Sequence, residues 1–293
     1  MTPKKKIYIV IFITPLVIMA FGLLRKKPSI SEFKSKYFWT NKFESLVKHN
    51  VVIYGDSRTY RGVNPSLVIK NQNLSAFNYG FTSAGYNDSI YHFLDERISK
   101  KKEPIVLLGI TPYSLTKEAS QTKFYFQEKN RGEYDKFQRL YLDKHLTFFD
   151  RIKIEEYLFS NRLIVKQEFN IDGWVSSQRA FIDTLDGLNA YKNIFNNNQV
   201  SNNIINSLMA QVKKWTLQGV KVFGFRPPTC VSMENLENTK SGFNENKFIQ
   251  QFVKNGGKWL EIDLNGYQTY DGSHLNKESA DKLSDQLNQL IFN

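Results

Sequence analysis

The longest apolar run of the chain lies close to its amino terminus. Residues 7–24 are 18 consecutive uncharged and mostly apolar positions, with three basic residues on each side. A helix of that length spans roughly 27 Å, close to the hydrocarbon thickness of a bilayer. We therefore predict a membrane anchor over residues 1–28. A cleaved signal peptide is the alternative, but it requires a shorter apolar core and a clear cleavage site between small residues.

Beyond the anchor, short apolar runs alternate with segments of helical character. The predicted strands are residues 51–54, 105–110, 220–225 and 259–263. The predicted helices are residues 29–50, 85–99, 202–218 and 276–291. Strands that are apolar at every position are typical of a parallel sheet covered on both faces. Their alternation with helices indicates an α/β fold built on a parallel sheet.

Residues 115–200 interrupt this alternation. They are rich in aromatic and charged side chains and show no regular succession of strand and helix. A structureless loop of that length is improbable in a compact domain. We expect a mainly helical insertion that caps a site, within one domain over residues 29–293.

Composition and charge exclude several classes of protein. Apolar residues make up 41% of the chain and aromatic residues 14%, which is enough to fill a core. The formal net charge is +12, and six of the basic residues flank the anchor. No zinc-finger spacing, basic zipper or RNA-binding signature is present, so we expect no nucleic-acid partner. The remaining positive charge suits an anionic polymer or membrane nearby, or simply a solvated lysine-rich surface.

Two short stretches carry residues suited to nucleophilic catalysis. Gly55, Asp56 and Ser57 directly follow a predicted strand, and the carboxyl ends of parallel strands are where such sheets bind ligands. A serine hydroxyl needs a base, and a histidine base needs a carboxylate to hold its tautomer. Asp271 and His274, three residues apart across a glycine turn, can supply both. Taken alone, residues 55–57 are also a common turn sequence, and residues 271–274 can also be explained as a cap for the last helix.

A third stretch, residues 77–85, contains Gly80 within a predicted turn. A glycine there lets a backbone N–H approach a developing oxyanion, although an ordinary turn explains the residue equally well. In this order and spacing the three stretches resemble the SGNH/GDSL hydrolase family. The resemblance covers residues 51–113 and 205–291. It implies a three-layer α/β/α sandwich with a parallel sheet of the flavodoxin type.

The resemblance also implies a role for each matching residue. Ser57 corresponds to the nucleophile, and His274 with Asp271 corresponds to the base pair. The N–H groups of Ser57 and Gly80 correspond to donors of the oxyanion hole. The implied mechanism uses neither a metal nor a cofactor, and the other three histidines show no metal-ligand spacing.

One block departs from the family pattern. Where the family has Gly-x-Asn, this chain has Gly109-Ile110-Thr111, so that Thr111 stands in place of the oxyanion-binding asparagine. Losing one such donor costs about 10²–10³ in rate. Either Thr111 donates its hydroxyl, or Asn78 or Asn87 substitutes, or the protein is slow or inactive.

Three arginines are candidates for binding an anionic substrate. Arg58 and Arg61 follow the serine, and Arg226 ends a predicted strand. Each can hold a carboxylate or phosphate through two parallel hydrogen bonds. Structural salt bridges, for example to Asp56 or Asp88, are the alternative. The single cysteine, Cys230, has no histidine nearby in the sequence, which favours a packing role.

The anchor and the altered block are similar to exported SGNH-like proteins that work beside membrane-bound O-acyltransferases. We therefore expect a single-pass protein of the cell membrane whose catalytic domain is extracytoplasmic. The expected activity is that of a serine esterase or O-acyltransferase on acyl, chiefly acetyl, esters of a cell-surface glycan. A lipase-like or peptidoglycan esterase is one alternative. A catalytically inactive assembly or glycan-binding subunit of a membrane-bound O-acyltransferase is another.

Overall fold

A parallel sheet lies at the centre of the fold. The computed structural model describes residues 3–24, 28–101, 103–150, 165–179 and 182–293. The strands are β1 (Val51–Tyr54), β2 (Ala76–Asn78), β3 (Ile105–Gly109), β4 (Val165–Phe169), β5 (Val175–Arg179), β6 (Lys221–Phe225) and β7 (Lys258–Trp259). Five of them form the sheet in the order β2-β1-β3-β6-β7, with all neighbours parallel. This is the strand order of the flavodoxin type, in which ligands bind beyond the carboxyl ends of the first and third strands.

Helices cover both faces of this sheet. The helices of the described residues are α1 (Pro3–Leu24), α2 (Glu32–Glu44), α3 (Ser57–Gly62), α4 (Pro65–Val68), α5 (Asp88–Asp95), α6 (Lys123–Lys129), α7 (Glu133–Phe137), α8 (Thr184–Asn197), α9 (Asn202–Leu217), α10 (Val231–Lys240), α11 (Glu245–Lys254) and α12 (Lys277–Phe292), of which α1 does not pack on the sheet. Short 3₁₀ and π turns occupy residues 113–115, 119–121, 138–142, 143–145 and 147–149.

Alternation along β1 divides the core into two layers. Val52 and Tyr54 pack in a cluster with apolar residues of α5, α9 and α11. Val51 and Ile53 point the other way and pack with apolar residues of α4 and α12. The prediction of an α/β sandwich with a buried parallel sheet is therefore confirmed.

The insertion differs from its prediction in one respect. Besides helices it contains β4 and β5, which pair as an antiparallel hairpin. Most positions of β4 are polar, so the segment lacks the apolar runs that marked the other strands. The hairpin lies against the core: Trp174 Nε1 donates to the carbonyl oxygen of Arg61 at 2.8 Å. Residues 151–164 of the insertion lie outside the described residues.

The amino-terminal helix α1 is apolar and unburied. The most apolar 18-residue window within Pro3–Leu23 has a mean hydropathy of 2.2, and none of its residues is buried. The helix is long and apolar enough to cross a membrane, and a signal sequence meets the same criteria. The basic residues 25–27 predicted to flank the anchor lie outside the described residues.

Candidate active site

Ser57 begins α3, immediately beyond the carboxyl end of β1. Asp56 caps the helix, its side chain accepting the N–H of Arg58 at 3.0 Å. A Cβ at Gly55 would lie 2.1 Å from Thr59 Oγ1, so only glycine allows the strand to turn this tightly into the helix. The turn thereby presents the Ser57 hydroxyl at the edge of the sheet where ligands bind.

His274 and Asp271 meet this hydroxyl from the loop before α12. His274 Nε2 lies 2.8 Å from Ser57 Oγ, and His274 Nδ1 lies 2.7 Å from Asp271 Oδ2. Gly272 adopts a φ of 83°, which lets the carboxylate fold back onto the ring. Asp271 Oδ1 also accepts the N–H groups of Ser273 and His274, at 2.9 and 2.7 Å. Because a carboxylate only accepts, Nδ1 carries the proton, and the lone pair of Nε2 faces the serine.

The charges of this pair suit a base at neutral pH. Burial lowers the pKa of His274, and the positive charge of Arg61 lowers it further, against the opposing effect of Asp271. Burial also acts to raise the pKa of Asp271, but hydrogen bonds from the side chain and backbone of His274 outweigh it and lower that pKa to about 2. At pH 7 the histidine is therefore neutral and the aspartate ionised.

A cavity of about 250 Å³ opens in front of the serine. Besides Ser57 and His274, its walls include Tyr60, Arg61, Thr82, Ser83, Tyr113 and Tyr191. Two phenols hold the Arg61 guanidinium in place: Nε donates to Tyr60 Oη at 3.1 Å and Nη1 donates to Tyr270 Oη. No carboxylate of the described residues lies within ion-pair distance of Arg61, so this half-buried cation lines the cavity without an acidic partner.

Two of the predicted oxyanion donors are engaged elsewhere. The N–H of Gly80 donates to Asn78 Oδ1 at 3.0 Å rather than into the cavity. Asn78 Nδ2 donates to the carbonyl oxygens of Thr59 and Val63, at 3.0 and 2.9 Å. Asn78 therefore joins the turn after β2 to α3, and neither residue offers a hydrogen to a ligand.

The remaining predicted donors are also occupied. The Thr111 hydroxyl donates to Asp56 Oδ2 at 2.6 Å and accepts the N–H of Ser114 at 3.1 Å. Asn87 caps α5, accepting the N–H of Ile90 at 2.9 Å while its amide donates to the insertion. Buried polar groups are nearly always paired. Each side chain that the sequence analysis assigned to the oxyanion therefore donates to another protein group instead.

Several backbone N–H groups of residues that line the cavity have no partner among the described residues, and two of them lie at breaks in regular backbone. One belongs to Ser57, at the first position of α3, where a helix leaves its N–H groups unpaired. The other belongs to Ser83, which adopts a left-handed backbone with a φ of 50°. Sequence reasoning missed Ser83. The run of small residues from Thr82 to Gly85 was the available signal.

Arg58 and Arg226 do not face the cavity. Arg58 Nη2 lies 2.8 Å from Glu237 Oε1, in contact but not aligned for a hydrogen bond, and Arg226 Nη2 lies 2.9 Å from Glu237 Oε2. The partner of Arg58 is thus Glu237 rather than Asp56 or Asp88. Arg58 Nε also donates to Ser273 Oγ at 2.9 Å. This bond ties the helix of the serine to the loop of the histidine, so the role of Arg58 is structural.

Lys42 of α2 is fully buried beside the site, which no sequence signal indicated. Its ammonium donates to the carbonyl oxygens of Gly80 and Gly173 at 2.7 and 2.9 Å. Four aromatic rings surround it, with centroids 5.0–5.6 Å away. Burial lowers the pKa of Lys42 well below its usual value, while the nearby charge of Asp172 acts to raise it. The lysine joins α2, the hairpin and the segment that leads to Ser83.

No group of three or more His, Cys, Asp or Glu side chains in the described ranges is arranged to hold a metal ion. Cys230 is a half-buried free thiol at the start of α10. Its backbone N–H donates to the carbonyl oxygen of Gly272 at 3.1 Å. The residue therefore supports the turn between Asp271 and His274.

No model of a protein family matches the chain, and no curated protein matches it. Among solved structures, the chain is similar to one from Streptococcus pneumonia whose description names a platelet activating factor. The two share 11% identity over 97% of this chain and 99% of that chain, with a TM-score of 0.41. A similarity at that TM-score bears on neither the fold nor the chemistry of this chain, and both rest on the geometry described above.

Proposed function

We propose that the chain is a membrane-anchored, extracytoplasmic serine esterase or O-acyltransferase of the SGNH/GDSL type, acting on acyl esters of a cell-surface glycan. The observation that carries the proposal is the unbroken hydrogen-bonded series from Ser57 through His274 to Asp271, at the mouth of a cavity. A capping interaction for the last helix would not require the histidine to meet a serine 217 residues away.

In this mechanism Ser57 Oγ attacks the carbonyl carbon of the acyl ester, and its proton passes to His274 Nε2. Asp271 stabilises the imidazolium that forms. The imidazolium then returns the proton to the departing alcohol oxygen as the ester bond breaks, which leaves an acyl group on the serine. Water or a sugar hydroxyl, deprotonated by the same nitrogen, attacks this acyl-enzyme and releases the free serine.

The oxyanion of each tetrahedral intermediate is bound by the N–H groups of Ser57 and Ser83, in place of Gly80 and the side chains predicted from the sequence. Both residues line the cavity, and neither N–H has an acceptor among the described residues. Two backbone donors give a weaker site than three, by about 10²–10³ in rate. We therefore expect a slow enzyme.

Arg61 supports an anionic substrate. Its guanidinium shares the cavity with Ser57 and is oriented by two tyrosines instead of a carboxylate. A half-buried arginine without an acidic partner favours a ligand that carries the missing negative charge. A glycan bearing carboxylate or phosphate groups near the acylated hydroxyl meets this requirement.

Labelling with a fluorophosphonate probe tests the proposal. The full chain in membranes should react with the probe, and Ser57→Ala should lose the label, while Ser232→Ala, at an exposed serine of α10, should keep it. Transfer is separated from hydrolysis by measuring whether release of the acyl group depends on an added glycan acceptor. A wild-type chain that never takes the label, although it is folded, contradicts the proposal.

The engaged donors favour a second candidate, a catalytically inactive subunit that binds glycan and assembles with a membrane-bound O-acyltransferase. Thr111, Asn78 and Gly80 all direct their hydrogens to protein groups. If deletion of the whole chain abolishes glycan O-acylation in cells while Ser57→Ala preserves it, this second function is the correct one.

A further inference from the structure

An exposed aromatic strip lies on the insertion, away from the cavity. Tyr134, Phe137 and Tyr141 are 81%, 54% and 57% exposed. Their spacing of three and four residues places them on one side of a helical segment, and the rings of Phe137 and Tyr141 are 5.0 Å apart. Leu142, next to Tyr141, and Phe149, in the turn that follows, are each 48% exposed, and we count them with the strip. Single exposed apolar residues are normal, but a contiguous aromatic face marks a binding surface.

The strip runs alongside α2, the first helix after α1. At one end, Lys136 forms an ion pair with Glu44, the last residue of α2, at 3.0 Å. At the other end, Asp150 accepts hydrogen bonds from the Ser31 hydroxyl at 2.5 Å and from the N–H of Phe33 at 3.2 Å. Both ends are therefore held to α2, and the segment follows the helix over its whole length.

Phe148, whose ring contacts that of Phe149 in the strip, also meets the apolar helix α1. A Cβ at Gly22, near the carboxyl end of α1, would lie 2.7 Å from Cβ of Phe148. Only residues 25–31 separate α1 from α2. The aromatic face is therefore fixed beside the point where a membrane-spanning α1 leaves the bilayer.

We propose that the strip is a second membrane contact, in which Tyr134, Phe137, Tyr141 and Phe149 lie in the lipid headgroup layer and α2 lies parallel to the membrane surface. Tyrosine and tryptophan are enriched at this boundary because their rings have an apolar body and a polar group, and phenylalanine occurs on the apolar face of interfacial helices. The occupant is lipid because the strip continues from a helix of membrane-spanning length. This inference goes beyond the proposed activity; it rests on the membrane anchor of the proposed function and not on Ser57.

The contact has a consequence for the cavity. Trp39 of α2 packs edge-on against Tyr60, which lines the cavity, with ring centroids 5.2 Å apart. Lys42 of the same helix holds the carbonyl oxygen of Gly80. If α2 lies along the bilayer, only one layer of side chains separates the cavity from α2, and therefore from the membrane surface. Acyl groups delivered at the membrane surface would then reach it without release into solution.

Fluorescence quenching by lipid tests the proposal. The full chain is reconstituted in vesicles of phosphatidylcholine and phosphatidylglycerol with brominated acyl chains, and a tryptophan is placed at Tyr134, Tyr141 or Phe149. Val253→Trp is the control: Val253 is also exposed, on α11 beside β7, at the sheet edge opposite β2. Quenching is taken relative to the parent chain, since four native tryptophans contribute a background.

We expect strong quenching at all three strip positions, background quenching in Val253→Trp, and protection of the strip tryptophans from iodide once the chain is in vesicles. Unfolding temperatures equal to that of the parent verify that the variants are folded. The proposal is wrong if the three strip tryptophans are quenched no more than the tryptophan of Val253→Trp. The strip would then be a surface for a protein partner. Quenching at Phe149 alone also overturns it, because α2 would then stand away from the surface.

Discussion

Thr111→Val distinguishes a structural threonine from an oxyanion donor. The substitution keeps the shape of the side chain and removes its hydroxyl. That hydroxyl lies 2.6 Å from Asp56 Oδ2, and both residues are buried. A hydrogen bond to a buried charged group contributes about 1.5–3 kcal/mol. We expect the free energy of unfolding to fall by about 2–3 kcal/mol, because the Ser114 N–H also loses its acceptor. The unfolding temperature should fall by about 4–12 °C.

The cost should also depend on pH. Burial raises the pKa of Asp56, while the Thr111 hydroxyl and the charge of Arg58 act to lower it. Because the folded pKa lies above the unfolded one, the aspartate weakens the fold most when it is ionised, above its raised pKa. Removing the hydroxyl raises that pKa further. The part of the stability difference that comes from the ionised carboxylate should therefore be largest above the raised pKa of Asp56 and shrink as the pH falls through that pKa, while the part that comes from the Ser114 N–H should remain.

The assay is urea unfolding of the full chain at several pH values, paired with the rate of acyl transfer. Thr111→Ser keeps the hydroxyl and serves as the control, with wild-type pH dependence expected. We expect the rate in Thr111→Val to change by less than about tenfold, since the donors beside the cavity are backbone groups. A loss of about 10²-fold in rate with unchanged stability would show that Thr111 does bind the oxyanion, and our assignment would be wrong.

Three further outcomes follow from the charges around the site. The acid limb of kcat/KM against pH should have its midpoint below 6.5, because the base must be neutral and the pKa of His274 is lowered; Arg61→Gln should move that midpoint upward by removing a nearby positive charge. In urea titrations the free energy of unfolding of the wild-type chain should rise between the lowered pKa of Lys42 and 10.5, because in this range the buried amine is neutral while the unfolded chain still binds the proton. Lys42→Met should not show this rise. Glu237→Gln should cost about 3–5 kcal/mol of unfolding free energy, because the buried Arg58 then has no carboxylate partner among the described residues, while Arg226 keeps its ion pair with Glu245. Glu261→Gln, at an exposed position, should have little effect.

The features that could be predicted from the sequence depend on short-range patterns. Every position of β1 is apolar because both faces of the strand are covered, and this pattern marked the centre of the sheet. The contact of Asp271 with His274 spans three residues and a glycine turn, so the local sequence determines it. The meeting of Ser57 with His274 spans 217 residues. It could be predicted because both follow elements that end at the same edge of a parallel sheet.

The contacts that escaped prediction join polar residues far apart in the chain. Lys42 and Gly173 are 131 residues apart, and nothing in either local sequence marks the other as its partner. Arg58 was assigned candidate carboxylates close to it in sequence, yet it pairs with Glu237, which comes from a helix on another part of the sheet. Any arginine can pair with any carboxylate, and only the packing of the finished fold selects one.

The donors of the oxyanion site could not be predicted from the sequence for a similar reason. Thr111 and Asn78 have the right chemistry to bind an oxyanion, but a buried hydroxyl or amide must be paired before any ligand arrives. The nearest acceptors, Asp56 and the carbonyl oxygens around α3, therefore take their hydrogens. Beside the cavity, backbone N–H groups remain without a partner where regular backbone is interrupted, as at the first residue of a helix or at a left-handed turn. Ser57 and Ser83 are such positions. A search of the sequence for oxyanion donors should thus look for breaks in regular backbone beside the nucleophile before it looks for polar side chains.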